Sequence, residues 1–155
     1  MPPFSAHHQG WPRPSTSSPT NGHGLQAQVL DYGGIVCSVE APDRNGKLAN
    51  VILCQKDLAA IEATGHPQRL TGRYANRIGH GVTIEGKHYD LAQNPNGVTL
   101  HGGPPPFSRR VLETVRTFSH AGDAGVTLRL VSPDGDQGFP RQGGAGTDLY
   151  ADRRQ

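Results

Sequence analysis

The chain has 155 residues, 15 Lys and Arg against 13 Asp and Glu, and a formal charge of +2, so it can form one domain but has no charge excess for gripping a polyanion. Hydrophobic residues are only 34%, and 21 glycines with 13 prolines make up the shortfall, which excludes a helical bundle and points to short strands joined by many turns. Two cysteines, Cys37 and Cys54, have no metal-ligand spacing and no disulfide-framework pattern; each sits in an apolar run and reads as a small buried hydrophobe in a reducing compartment.

Residues 1–20 are rich in Pro, Ser and His, with Phe4 and Trp11 as the large apolar groups. Such a segment buries too little surface to offset its ordering entropy, and the expectation is a disordered tail. His7, His8 and His23 lack the scaffold a metal site needs. Met1 to Thr20 also lacks the basic start and apolar stretch of a secretory signal, and no run approaches the roughly 18 apolar residues of a membrane span. The expected location is cytoplasmic, with neither membrane nor nucleic acid as a partner.

From Gly24 the pattern becomes that of strands. Leu25, Ala27 and Val29 alternate with Gln26 and Gln28, the period of a half-buried strand. Asp31-Tyr32-Gly33-Gly34 breaks it, and Ile35, Cys37 and Val39 alternate again. Pro42-Asp43-Arg44-Asn45-Gly46 is a turn, with proline presetting one φ and Asn-Gly tolerating positive φ. Leu48 to Leu53 returns as an apolar strand. Asp57 to Glu62 is the one helical piece, with Asp57 as N-cap.

Val82-Thr83-Ile84 and His88-Tyr89-Asp90-Leu91 flank Glu85-Gly86-Lys87, a hairpin with glycine at its tip. Val111 to Phe118 and Val126 to Val131 give two more strands. Turns every eight to twelve residues or so predict an antiparallel β-sandwich. After Pro140 the alternation stops, so residues 141–155 read as a tail without strands. Arg109-Arg110 and Arg153-Arg154 read as solvated surface pairs.

Three segments carry chemistry: Gly72-Arg73-Tyr74-Ala75-Asn76-Arg77-Ile78, Leu100-His101-Gly102-Gly103, and Ser132-Pro133-Asp134-Gly135-Asp136-Gln137-Gly138-Phe139-Pro140. Each sets hydrogen-bonding side chains beside permissive glycines, as a ligand with many hydroxyls requires. Asn offers a donor and an acceptor, Arg a rigid donor fork, and imidazole a proton near neutrality. Asn76 and Arg77 are adjacent, so in a regular strand they point to opposite faces. They can serve one ligand only if the backbone twists or bulges, or if the pair sits at a strand end. The alternative is an Arg ion pair with Asn in a turn. Asp134-Gly135-Asp136 lacks the later Glu of a calcium loop and reads as an acidic turn.

These segments, in this order and with Asp31-Tyr32-Gly33-Gly34 and Pro42 to Gly46 upstream, resemble the aldose 1-epimerase (galactose mutarotase) family from about Asn21 to Pro140. The resemblance implies an all-β, antiparallel galactose mutarotase-like supersandwich, incomplete here because family chains run to roughly twice this length. It implies a domain at 21–140 and interconversion of the α- and β-anomers of hexoses such as glucose or galactose, by general acid–base chemistry without cofactor or metal. The partner is then a hexose sugar. Asn76, Arg77 and His101 match the family's sugar-binding positions, His101 also assisting the acid. The family's principal acid His and base Glu have no counterpart, so the expected chain is a truncated, impaired mutarotase. A frame change or premature stop after Pro140 would account for that. A non-catalytic carbohydrate-binding module and a non-functional fragment are the alternatives.

Overall fold

The computed structural model describes residues 16–17, 20–21, 24–64, 69–120 and 122–151. His7, His8, His23 and Arg153-Arg154 lie outside these. Among the described residues, eleven strands and one short α-helix follow in order, with all strand pairs antiparallel. Strands β1 (Thr16–Ser17), β2 (Gln26–Leu30), β3 (Ile35–Pro42) and β4 (Leu48–Asn50) form a four-stranded sheet in that order. Strands β9 (Glu113–His120), β10 (Asp123–Ser132) and β11 (Gly143–Ala151) form a second sheet with β10 in the centre. Between them in chain order come two ribbons, β5 (Arg77–Gly79) with β8 (Val98–Leu100), and β6 (Val82–Ile84) with β7 (Lys87–Tyr89). The fold is all-β, as the alternation and turn spacing predict.

The core shows why these strands pack as they do. The β2–β3 register shifts between Gln28 and Val29, so Val29 and Leu30 are both buried instead of alternating. Val29 packs with Leu112, Val126 and Leu128, which brings the two large sheets together. Leu30 packs with Tyr32, Ile35, Cys37, Leu58 and Ile61, which seats helix α1 (Leu58–Thr64) on the first sheet. Asp57 caps this helix: its Oδ1 accepts from Ala60 N at 2.8 Å. Glu85 and Gly86 have φ of 51° and 79°, the two positive values of a two-residue hairpin turn whose twist suits its strands.

Four expectations need correction. The segment after Pro140 is no strandless tail, because Gly143–Ala151 pairs with β10 over nine residues from Ser132↔Gly143 to Ala124↔Ala151. A strand is held by backbone hydrogen bonds to its neighbour, so glycines without alternation can form one when β10 presents an unpaired edge. The break in side-chain pattern at Arg141 is therefore no break in the fold. At the other end, Thr16 and Ser17 pair with Leu30 and Val29, and so belong to the sheet and not to a tail.

The apolar run Leu48 to Leu53 forms a strand only over Leu48–Asn50; Val51 N still donates to Val39 O at 2.9 Å, and Asn50 Oδ1 accepts from Val39 N and Ile52 N where the chain leaves the sheet. Finally, Arg110 is no solvated surface residue; its side chain is 12% exposed and ion-paired. The exposed neighbour Arg109 donates from Nη2 to Glu62 O at 3.1 Å, against the end of α1.

Candidate functional site

The three glycine-and-polar segments, far apart in sequence, converge. Asn76 ends a bend with φ of 63°, and Arg77 is the first residue of β5. The pair thus stands at a strand end, one of the arrangements that lets both serve one ligand. Arg77 Nη1 donates to Asn76 Oδ1 at 2.9 Å. Register pairs Arg77 with Leu100, which delivers the next residue, His101, beside Asn76.

Two bonds then join these residues: His101 N donates to Asn76 O at 2.9 Å, and Asn76 N donates to His101 Nδ1 at 3.1 Å. With Nδ1 occupied as an acceptor, the neutral ring carries its hydrogen on Nε2 and offers it as a donor. Asn76, Arg77 and His101 are thus a single hydrogen-bonded cluster, partly open to solvent. Its groups can donate to and accept from hydroxyls, and it contains no carboxylate.

Glycine makes this approach feasible. At Gly102, with φ of 86°, an added Cβ would overlap Arg73 N and the Gly72 carbonyl group, so the 101–103 turn lies directly on the 72–73 backbone. Gly103, with φ of 101°, lies close to the Gln137 side chain, which an added Cβ would crowd at 3.0 Å.

Arg73 ties in the third segment. Its guanidinium donates to Ser132 O at 3.4 Å, to Pro140 O at 3.5 Å and to Arg141 O, lies 5.7 Å from the Phe139 ring centroid, and fills the space beside Gly143. A cleft of about 740 Å³ opens next to it. Phe107, Phe139, Val82 and Ile84 give it apolar walls; Arg73 and Arg77 supply its charge. A flat polyol with one apolar face suits such a combination of carbon walls and polar corners.

Asp136 braces the third segment from behind. Its carboxylate accepts from Arg110 Nη1 at 2.6 Å and Nη2 at 2.9 Å, from Ser132 Oγ, and from Gln137 Nε2 at 3.4 Å. The Arg110 bonds, foremost, hold its carboxyl down at about 2, against the opposing effect of burial. The stretch is thus an acidic turn between strands, as its spacing suggests, but it is tied inward. Among the described residues no group of three His, Cys, Asp or Glu could hold a metal ion.

The sequence reading missed Arg73, Arg110 and Asp136 as organisers. The one available signal was their position inside or beside the three segments. Their partners are backbone carbonyls and a charge 26 residues away, which spacing does not reveal.

An all-β sandwich with an open cleft lined by Arg73, Arg77 and Phe139, and with Asn76 and His101 hydrogen-bonded beside Arg77, defines a structural class with solved members. The aldose epimerase homologue from C. elegans superposes with a TM-score of 0.71 at 29% identity, covering 89% of this chain and 41% of its own. The galactose 1-epimerase from Lactobacillus acidophilus superposes with a TM-score of 0.78 at 21% identity, over 95% and 43%, which speaks to the fold alone. The aldose 1-epimerase family model matches residues 16–143, and the chain belongs to that family.

Galactose mutarotase from Bos taurus is 36% identical over 118 residues, 75% of this chain and 33% of that protein. Aldose 1-epimerase from Escherichia coli K12 is 33% identical over 132 residues, 81% and 36% respectively. The chain therefore spans about a third of the length of these curated relatives. No helix among the described residues is long and apolar enough to cross a membrane.

Proposed function

We propose that this chain carries the sugar-binding part of an aldose 1-epimerase, taking hexoses such as glucose or galactose without cofactor, and that it is impaired in mutarotation by itself. The observation that carries this reading is the mutual hydrogen bonding of Asn76, Arg77 and His101, which ties a donor fork, an amide and an imidazole into one cluster. Hydroxyl recognition needs these groups in fixed directions.

Mutarotation needs two proton movements: one off the anomeric hydroxyl and one onto the ring oxygen. His101 Nε2 is a fitting donor toward a ring oxygen, or it can hold a hydroxyl in place. The proton acceptor is a separate matter, because a guanidinium and an amide cannot take up a proton near neutrality and the imidazole of the neutral ring already offers one. Absence of a paired base costs about 10²–10⁴-fold in rate. This favours, as the second reading, a module that binds hexose without turning it over. Cys37 and Cys54, each set in an apolar run without a disulfide-framework spacing, fit a reducing, cytoplasmic setting.

Polarimetry of freshly dissolved α-D-glucose and α-D-galactose, paired with NMR titration by each sugar, tests both readings. Binding with little acceleration supports an impaired epimerase or a module. Acceleration lost in His101→Ala identifies an active epimerase. A folded chain with no sugar-dependent shifts at Asn76, Arg77 or His101 overturns the sugar-site assignment.

A further inference from the structure

The β6–β7 hairpin stands apart from both large sheets, because its two strands pair with each other alone. Short joints connect it to the rest of the chain. On one side His80 and Gly81, at φ of 58° and 75°, form a two-residue joint between β5 and β6. On the other side Leu91 is buried and Ala92 N donates to Gln137 O at 2.9 Å. Val82 and Ile84 are half-buried and form part of the cleft's apolar wall, while Thr83 between them is exposed. Pro140, Gln142 and Gly143 line the same cleft.

Glu85, in the hairpin turn, is bound to Arg141, which lies between Pro140 and Gln142: Arg141 Nη2 donates to Glu85 Oε2 at 2.7 Å. Among the described residues this is the one side-chain polar contact that leaves the hairpin. Thr83 with His88, His88 with Asp90, and Lys87 with the Tyr89 ring all stay within residues 82–90. Both partners sit on left-handed backbone, with φ of 51° at Glu85 and 64° at Arg141, which side chains of this size rarely adopt. Such backbone collects at clamps and switches. The Arg141 end is anchored, since its N donates to Asp134 Oδ1 and its O accepts from Arg73 Nη2. The two side chains are 74% and 73% exposed, so water and salt reach the pair.

We propose that the β6–β7 hairpin is a hinged wall of the cleft, and that Glu85 and Arg141 are the strap that holds it in and sets access to the cleft. With the strap made, Val82 and Ile84 stand against the cleft. With it broken, the hairpin swings on the His80-Gly81 joint and the cleft widens. An exposed ion pair shifts such a balance by up to about fivefold and weakens in salt, so it opens easily enough for a ligand to enter. That ligand is a hexose on the reading proposed above; the strap itself does not depend on that reading.

NMR of the full chain tests the strap first without sugar. As salt rises from about 10 mM to about 0.5 M, the Val82 and Ile84 methyl signals and the Gln142 and Gly143 amides should shift together toward one open position. Glu85→Gln should begin at that position and respond little to salt. The swap Glu85→Arg/Arg141→Glu should return the signals to their low-salt values. Galactose should bind Glu85→Gln up to about fivefold more weakly than wild type, because the closed fraction has fallen, and the swap should restore the affinity. Glu85→Gln shifts confined to residues 84–86, or a folded swap variant that restores none of them, would overturn the strap. Wild-type affinity in Glu85→Gln, with its hairpin displaced, would overturn the control of access. A chain that binds no hexose removes the sugar reading alone, because the sugar-free shifts still decide the strap.

Discussion

Arg110 and Asp136 face each other in a two-bond ion pair, at 2.6 and 2.9 Å, with side chains only 12% and 11% exposed. Asp136 lies in the short turn Asp136–Gly138, and Arg110 directly precedes the bridge between Val111 and Tyr32. The pair fastens the third polar segment to the turn between β2 and β3, since Gly33 N donates to Arg110 O at 2.8 Å.

Acid should loosen this joint. The Asp136 carboxyl titrates at about 2 in the folded chain against an ordinary 3.8. A lowered folded value means the stabilisation is complete above pH 4 and is lost as pH falls from about 4 to about 2, for a total of roughly 2 kcal/mol. Urea unfolding of the wild type across pH 2–6 should show this slope, and Asp136→Asn should remove that part of it. At pH 7 Asp136→Asn should cost about 2–4 kcal/mol, because Arg110 keeps its charge without a partner. If Arg110→Met/Asp136→Asn is no more stable than Asp136→Asn alone, the unpaired charge is not the cause.

Asn76 allows binding to be separated from folding. Its φ of 63° suits glycine better than alanine. Asn76→Gly should therefore stay within about 1 kcal/mol of wild type while hexose binding weakens by about tenfold, since the amide that anchors Arg77 is gone. Asn76→Ala should lose the same affinity and additional stability. Calorimetric titration with galactose and thermal melts check both, and equal melts for the two variants would remove the backbone argument.

His101 and Asn76 should answer as a unit. His101→Ala deletes the acceptor of the Asn76 N–H. The Asn76 amide resonance should shift strongly in this variant, even without sugar, and its hydrogen exchange should accelerate. In a double-mutant cycle with Arg77→Met, the affinity losses should fall short of additive. Strict additivity would mean the residues act independently.

Two glycines with similar φ should tolerate alanine very differently. Gly46, at φ of 78°, has nothing within 4 Å of an added Cβ, and Gly46→Ala should cost about 1 kcal/mol from backbone conformation alone. Gly102→Ala should cost more than about 3 kcal/mol, or prevent folding, because the methyl overlaps the 72–73 backbone. Denaturant titrations compare them; similar losses would show that the close approach at Gly102 is soft.

What the sequence revealed follows the range of the forces involved. Local signals were legible: the alternation of Val126, Leu128 and Leu130, the Asp57 cap, and the turns at Gly46 and Gly86 each depend on neighbours a few residues away. The candidate trio Asn76, Arg77 and His101 was legible only through motif resemblance, because their contact depends on the Arg77↔Leu100 register. Strand β11 was not legible, since its partner β10 dictates it and its own glycines carry no alternation. Nor was the Arg73 guanidinium in its nest of carbonyls, because any segment can offer a carbonyl and no residue type announces it.

The bonds that draw the polar segments together also differ in how much chain they enclose. The β9–β10 and β10–β11 hairpins close short loops and pair along most of their length. Asn76 with His101 spans 25 residues, Arg110 with Asp136 spans 26, and Arg73 with Arg141 spans 68. Loop-closure entropy rises with that span, so the hairpins can form early while the cleft waits for the chain's long-range contacts. Substitutions in β10 should therefore slow folding. Those at Arg73 should mainly hasten unfolding, which makes the cleft the last region to assemble and the first to open.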